Sequence, residues 1–166
     1  KREELLNARR GIAVAPILIA VLNLDDDDDV NSRLLKQLQT LDSAQCFISK
    51  RGNYLHIELA KFRTTYQIVM IKSRDLYGAL DIVKLSNILL LLHSHRSEEI
   101  IGETDNAAIN VLNAIYNHCL PHTVHAVIGL TAEDGGNKLK HRDRVRKSIL
   151  EMIEKHYPGT LDGSGH

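Results

Sequence analysis

The sequence contains few of the residues that mark disulfide-rich, zinc-binding or linker-rich proteins. Its two cysteines, Cys46 and Cys119, lie far apart without a CxxC pattern, so neither a disulfide framework nor a zinc site is predicted and a reducing compartment is the default. Three prolines and ten glycines leave no long flexible linker. The formal net charge is zero, so overall charge points to no particular partner.

Long apolar runs are also missing. The longest, residues 12–24, contains Pro16 and Asn23, and the run at 88–92 is shorter still. Both are too short to cross a bilayer, and no signal peptide is recognised, so the sequence predicts no membrane association. The 166 residues, of which 43% are hydrophobic, suffice for one domain with a real core.

Apolar periodicity predicts strands that alternate with helices. The predicted strands are 12–24, 44–49, 54–59, 65–71, 88–92 and 123–130, and the predicted helices are 1–10, 31–41, 75–85, 105–119 and 137–156. Asn31 or Ser32 is the expected cap of the second helix and Ser73 of the third. The predicted fold class is α/β, a doubly wound and mostly parallel sheet with 88–92 as its central strand and 123–130 buried.

A nucleotide-binding loop is absent where such a sheet would carry one. After the first strand, a P-loop protein shows GxxxxGK[ST], whose backbone amides and lysine hold phosphates. This chain has five aspartates there, Asp25–Asp29, with no glycine and no lysine. Carboxylates would repel a triphosphate, and the run is expected to be an exposed, solvated loop.

Two further nucleotide motifs are doubtful or missing. Asp75 and Gly78 match DxxG, the magnesium-binding pattern of GTPases, but the match is short and lies within the predicted helix 75–85, which favours coincidence. After the strand 123–130, where a GTPase reads guanine with NKxD, residues 129–132 are GLTA.

The nine histidines show no metal-ligand spacing and are interpreted as surface or helix-end residues. The interpretation covers His93, His95, His118, His122 and His125. No catalytic, cofactor-binding or metal-ligating residue is predicted, and no cofactor is expected.

Three segments resemble the Bms/Tsr family of ribosome-biogenesis factors, whose N-terminal domain is similar to the G domain of translational GTPases. Residues 75–92 (DLYGALDIVKLSNILLLL) resemble the family's helix-to-strand block, residues 113–127 (NAIYNHCLPHTVHAV) its step into the base-side strand, and residues 146–158 (RKSILEMIEKHYP) its last helix. Because it lacks both the P-loop and NKxD, the chain is similar to members of the Tsr branch, which have the fold without nucleotide motifs.

The resemblance implies a catalytically inert domain that acts in late maturation of the small ribosomal subunit, as a steric placeholder. Its implied partners are the pre-ribosomal small subunit, ribosomal RNA, ribosomal proteins and other assembly factors, in the nucleus, nucleolus and cytoplasm. The resemblance also implies that the chain is a fragment of a longer protein. Its predicted divisions are a basic helical segment 1–11, a GTPase-like domain 12–158, and a tail 159–166 that departs from the family's next strand.

Basic residues at both ends of the chain are the candidate RNA contacts, because cations at the start of a helix oppose its dipole and need another explanation. They are Lys1, Arg2, Arg9, Arg10, Lys138, Lys140, Arg142, Arg144, Arg146 and Lys147. The apolar stripe Val145, Ile149, Met152 and Ile153 should turn the second set outward.

Two alternatives remain open. Asp25 and Asp27 after a first strand resemble a phosphotransferase DxD or a phospho-receiver pocket, which would make the chain a magnesium-dependent enzyme using Asp25–Asp29. Such sites need a lysine, and Lys72 is the one candidate. The other alternative is an active GTPase with an unusual site.

Overall fold

The chain folds as an α/β sheet with helices on both faces. The computed structural model describes residues 15–25, 28–40, 44–48, 54–59, 64–93, 106–118, 121–128 and 138–159. The strands are β1 (Ile17–Asn23), β2 (Ala44–Ile48), β3 (Tyr54–Leu59), β4 (Thr64–Met70), β5 (Ile88–His93) and β6 (His122–Val127). The helices are α1 (Asp28–Gln39), α2 (Leu76–Leu85), α3 (Ala107–His118) and α4 (Lys138–His156).

The described strands form one sheet in the order β2-β3-β4-β1-β5-β6. Strand β1 pairs in parallel with β4 and β5, and β5 pairs in parallel with β6. The β2-β3-β4 segment is antiparallel. The predicted α/β fold with a mostly parallel, doubly wound sheet is confirmed.

Alternate residues of the buried strands face two separate clusters. On β1, Ala20 and Leu22 pack with α2 and α3 in the first cluster, whereas Val21 packs with Leu35 of α1 in the second. Because side chains alternate along a strand, the sheet carries α1 on one face and α2 and α3 on the other. The predicted inward residues of α3 are confirmed as buried: Ala108, Val111, Leu112 and Ile115.

The predicted positions of two strands in the sheet were wrong. Among the described strands, β5 is interior but not central, since β4 and β1 are the middle pair in the order. Strand β6 is not buried: among the described strands it lies at the edge, and Val124 is 42% exposed. Apolar runs indicate burial, but a strand with a single neighbour keeps one flank open.

Two predicted helix caps were also wrong. Helix α1 begins at Asp28, three residues before the expected cap Asn31, so the last two aspartates of the acidic run are helical. Helix α2 is capped by Asp75 rather than Ser73. Residues 1–14 and 49–53, which include the hairpin turn that the sequence KRGN at 50–53 predicts, lie outside the described part of the chain.

Candidate functional site

The carboxyl edge of the sheet is the end at which the parallel strands β1, β4, β5 and β6 finish, and it is where α/β proteins bind ligands. Strand β1 ends there at Asn23 and α1 begins at Asp28, with four residues between them. A P-loop pattern spans about eight positions between strand and helix. The β1–α1 connection is therefore too short to wrap around a phosphate.

Hydrogen bonds fix the first part of this connection. The Asn23 Oδ1 atom accepts from the backbone amide of Asp25 at 3.2 Å, a local turn that asparagine side chains favour. The Leu24 amide donates to the carbonyl of Leu92 at 3.2 Å. The Asn106 Nδ2 atom donates to the Leu24 carbonyl at 3.3 Å while its Oδ1 accepts from Ala108 N, capping α3. Strand end, loop and α3 are thus tied together.

The acidic run is not a loop over its whole length, as the sequence predicts, because its last two residues are helical. Asp28 and Asp29 lie in the first turn of α1, where negative charge is favourable to the helix dipole. Asp25 is half-buried, and its Oδ1 atom is buried without a hydrogen-bond partner among the described residues. Asp26 and Asp27 lie outside the described residues. An acidic side chain at the strand end adds to the electrostatic barrier against phosphate.

The DxxG match is a helix cap. The Asp75 Oδ1 atom accepts from the amide of Gly78 at 2.9 Å, and Asp75 is the residue before α2. A Cβ atom on Gly78 would collide with the Asp75 carboxylate. Capping therefore explains both fixed residues of the motif, as the coincidental interpretation predicts. The other expected nucleotide position, residues 129–132, lies outside the described residues.

A pair of histidines, of which one is fully buried, joins β5 to β6 near the carboxyl edge. The His93 Nε2 atom lies 3.0 Å from His125 Nδ1, and the ring centroids are 5.2 Å apart. His93 is 1% exposed and His125 is half-buried. The interpretation of His93 as a surface histidine was wrong. The contact between the two histidines could have been predicted from the sequence only if the register of β5 against β6 were already known.

The histidine pair has more hydrogen-bonding capacity than it uses. If both rings are neutral, one proton bridges them, and the outer nitrogens are left as one donor and one acceptor. Those atoms, His93 Nδ1 and His125 Nε2, are buried and have no partner in the described part of the chain. Burial and, to a smaller extent, the charge of His125 lower the pKa of His93 to about 3. Burial also lowers the pKa of His125.

The pair does not form a metal centre with other described residues. No three His, Cys, Asp or Glu side chains in that part of the chain are grouped so that they could hold a metal ion.

None of the described helices is long and apolar enough to cross a membrane.

The candidate RNA-contacting residues of α4 are exposed where their side chains are described. Arg144, Arg146 and Lys147 are exposed, while Ile149 and Ile153 are 1% exposed, so the predicted inward stripe is confirmed. Among the described side chains of α4, an ion pair joins Lys147 Nζ to Glu151 Oε1 at 3.6 Å. The two side chains are 79% and 69% exposed, so the pair adds little stability. Lys138, Lys140 and Arg142 lie in the first turns of the helix. Lys1, Arg2, Arg9 and Arg10 are outside the described residues.

Contacts at its far end show how α4 is oriented. The Tyr157 hydroxyl donates to Asn113 Oδ1 at 2.9 Å, and the Tyr116 hydroxyl donates to the Pro158 carbonyl at 3.0 Å. Helix α3 begins at the carboxyl edge, so these contacts in its second half place the end of α4 away from that edge. Since β6 leads to the carboxyl edge and α4 is about 28 Å long, the basic first half of α4 lies toward that edge.

Comparison with solved structures found translation elongation factor SelB from Methanococcus maripaludis, in complex with the GTP analogue GppNHp. The identity is 12% and the TM-score is 0.39, with 82% of this chain and 26% of SelB covered. The chain thus spans only a small part of that protein. A search of the curated proteins found no match.

A sequence model of the family described as Tsr1, G-like domain, matches residues 17–161. The match covers β1 through α4, including the short β1–α1 connection and the capped α2. The chain therefore belongs to this family of Tsr/Bms-type ribosome-biogenesis factors, and it is a GTPase-like domain.

Proposed function

We propose that this domain is catalytically inert and acts as a steric placeholder on small ribosomal subunit precursors. The observation that carries the proposal is the four-residue connection between Asn23 and Asp28. It offers no loop long enough to hold phosphates, and three of its four residues are aspartates. In addition, the Asp75 carboxylate is engaged with the Gly78 amide in a cap.

Inertness suits a placeholder for a physical reason. A domain that has the shape of a translational GTPase can occupy the surface such a factor uses, and it is not released by hydrolysis. Its attachment would come from the cations of α4, through phosphate contacts that are largely independent of sequence. Ribosomal RNA, ribosomal proteins and other assembly factors are the proposed partners, in the nucleus, nucleolus and cytoplasm.

Nucleotide titration tests the proposed inertness. Calorimetry with GTP, GDP and ATP in the presence of Mg²⁺ should give no specific binding. Micromolar affinity that prefers guanine to adenine would show instead an active GTPase with an unusual site.

Retention on small-subunit precursors tests the RNA attachment. Reversing Arg144 and Arg146, together with Lys140 and Arg142, to glutamate should lower retention and flatten its salt dependence. The control reverses Lys36 and Lys84, exposed cations of α1 and α2. Equal retention of both variants across a salt series would mean that α4 is only a solvated face.

A magnesium-dependent phosphotransfer or receiver domain is the second candidate. The observation in its favour is the Asp25 Oδ1 atom, which is buried and has no hydrogen-bond partner among the described residues. Against it, Asp28 and Asp29 are in the first turn of a helix. Thermal melts decide between them. A melting temperature that rises with Mg²⁺ in the parent, but not in an Asp25→Asn variant, would favour the enzyme.

A further inference from the structure

An exposed aromatic residue with two exposed cations lies between β4 and α2. Tyr77 is 81% exposed, and Lys72 and Arg74 are also exposed. Within the described residues, none of the three side chains has a hydrogen-bond, ion-pair or ring partner. The segment follows β4 and therefore lies at the carboxyl edge of the sheet.

The fold does not require an aromatic residue at position 77. Helix α2 packs on the sheet through Ala79 and Val83, which are 1% and 4% exposed. Residue 77 lies two positions before Ala79, about 200° around the helix, on the opposite side. The start of the helix is stabilised by the Asp75 cap. An exposed tyrosine here contributes to neither packing nor capping.

The local charge favours an anion. Lys72 and Arg74 contribute two positive charges. Asp75 is turned back to the Gly78 amide at 2.9 Å, and the exposed Asp81 lies one helical turn beyond Tyr77, farther along α2 from both cations. Helix α1, which begins at Asp28, packs in the second cluster and α2 in the first, so the two helices lie on opposite faces of the sheet. Asp25, at the end of the neighbouring strand β1, has a buried Oδ1 atom.

The segment also shares an edge of the sheet with the basic half of α4. Strands β4 and β6 end at the same edge and are separated by β1 and β5. Three strand spacings amount to about 14 Å. One strand of nucleic acid a few nucleotides long can cross the distance between the ends of these two strands.

We propose that Tyr77 stacks on an unpaired base of RNA while Lys72 and Arg74 contact the flanking phosphates. The inference rests on the proposed function and extends it to a second contact and to single-stranded RNA. An aromatic face binds bases that are free of a duplex, because paired bases keep their faces stacked on each other. The charged neighbours of Tyr77 favour RNA over an apolar protein surface.

Binding of a fluorescent single-stranded RNA of mixed sequence and of an RNA duplex to the full chain tests the proposal. Tyr77→Ala should weaken single-strand binding about 5- to 150-fold, the range expected for one base–aromatic stack. Tyr77→Phe should retain it, and duplex binding should change in neither variant. Leu85→Ala is the matched control, since Leu85 is 76% exposed at the other end of the same helix.

Neutralising the cations gives an independent readout. Replacing Lys72 and Arg74 with Gln should weaken binding of both RNAs and reduce the salt slope by about one unit for each phosphate that is no longer neutralised. An unchanged slope would refute the phosphate contacts.

Other outcomes separate this inference from the proposed function. If the α4 reversal abolishes RNA binding while Tyr77→Ala has the effect of Leu85→Ala, the stacking contact is refuted and the placeholder function stands. If neither change matters, both fail. If Tyr77→Ala lowers retention on precursors but leaves RNA affinity unchanged, the tyrosine contacts protein and the RNA proposal is overturned.

Discussion

The imidazole of His93 on β5 lies 3.0 Å, Nε2 to Nδ1, from that of His125 on β6, which is at the edge of the sheet among the described strands. Both outer ring nitrogens are buried and unpartnered within the described residues. The contact couples the attachment of the edge strand to protonation, since a proton added to this pair places charge at a desolvated site.

Stability should therefore fall with pH in the acid range. The pKa of His93 is about 3 in the folded chain and about 6.5 in the unfolded one. Between these values the unfolded chain binds more protons, so the free energy of unfolding decreases as pH falls from about 6.5 toward 3. Linkage gives up to about 1.4 kcal/mol per pH unit. Urea unfolding monitored by circular dichroism from about pH 7.5 to about pH 4.5 measures this.

The control for the acid effect is a matched pair of variants. His93→Gln removes the buried titrating ring and should flatten the pH dependence. His122→Gln changes an exposed histidine of β6 and should leave it intact. Parallel pH profiles for the parent and His93→Gln would show that His93 does not govern acid stability.

Asp75 and Gly78 should be energetically coupled. Asp75→Ala removes the cap and should cost about 1 kcal/mol of stability. Gly78→Ala in the parent should be close to neutral, because better helix propensity is offset by displacement of the Asp75 carboxylate. In the Asp75→Ala background the same change should stabilise by up to about 1 kcal/mol. A double-mutant cycle measures the difference.

The same cycle run with Asp81, an exposed residue of α2, supplies the comparison and should show no coupling to Gly78. Zero coupling in the Asp75 cycle as well would argue against a capping role for the motif.

Neutralising the aspartates of α1 should weaken the domain. Asp28 and Asp29 occupy the first helical turn, where each negative charge is worth about 0.3–1 kcal/mol at low salt. Changing both to Asn should lower the unfolding free energy at low ionic strength, and the loss should shrink in molar salt. Asp81→Asn, in the middle of α2, should have little effect. A gain in stability would mean that repulsion within the run dominates.

Substitutions in the interior of the sheet should destabilise the domain far more than substitutions at the exposed end of α2. Leu91 is 2% exposed in the first cluster, and Leu91→Ala should cost about 2–5 kcal/mol. Leu85→Ala, at a residue 76% exposed, should stay within about 0.5 kcal/mol. Denaturant midpoints measure both. A small loss at Leu91 would contradict the placement of β5 against α2 and α3.

Local pattern was sufficient for most of the elements. The spacing of Val111, Leu112 and Ile115 predicted the buried face of α3, and Ile149 and Ile153 predicted that of α4. The hairpin β2–β3 was also predicted from the sequence between its strands. These features depend on residues close together in the chain, so periodicity reports them directly.

At the carboxyl edge, the sequence predicted which nucleotide-binding motifs are missing, but not which contacts the residues there make. The missing glycines and lysine after β1 were visible in the sequence, as was the weakness of DxxG. The cap that occupies Asp75, the start of α1 at Asp28 and the exposure of Tyr77 were not. Cap position depends on where a helix meets its neighbours, and propensity alone leaves several nearby polar residues as candidates.

The sequence by itself determined the α/β class, the limits of most helices and strands, and the family. The tertiary structure decided which strand became an edge, which histidines met, and which cations shared an edge of the sheet with Tyr77. The physical reason is the separation along the chain of the residues that interact. Burial patterns are set by neighbours a few residues away, whereas strand order and register bring together residues as distant as His93 and His125 through pairings that no local pattern specifies.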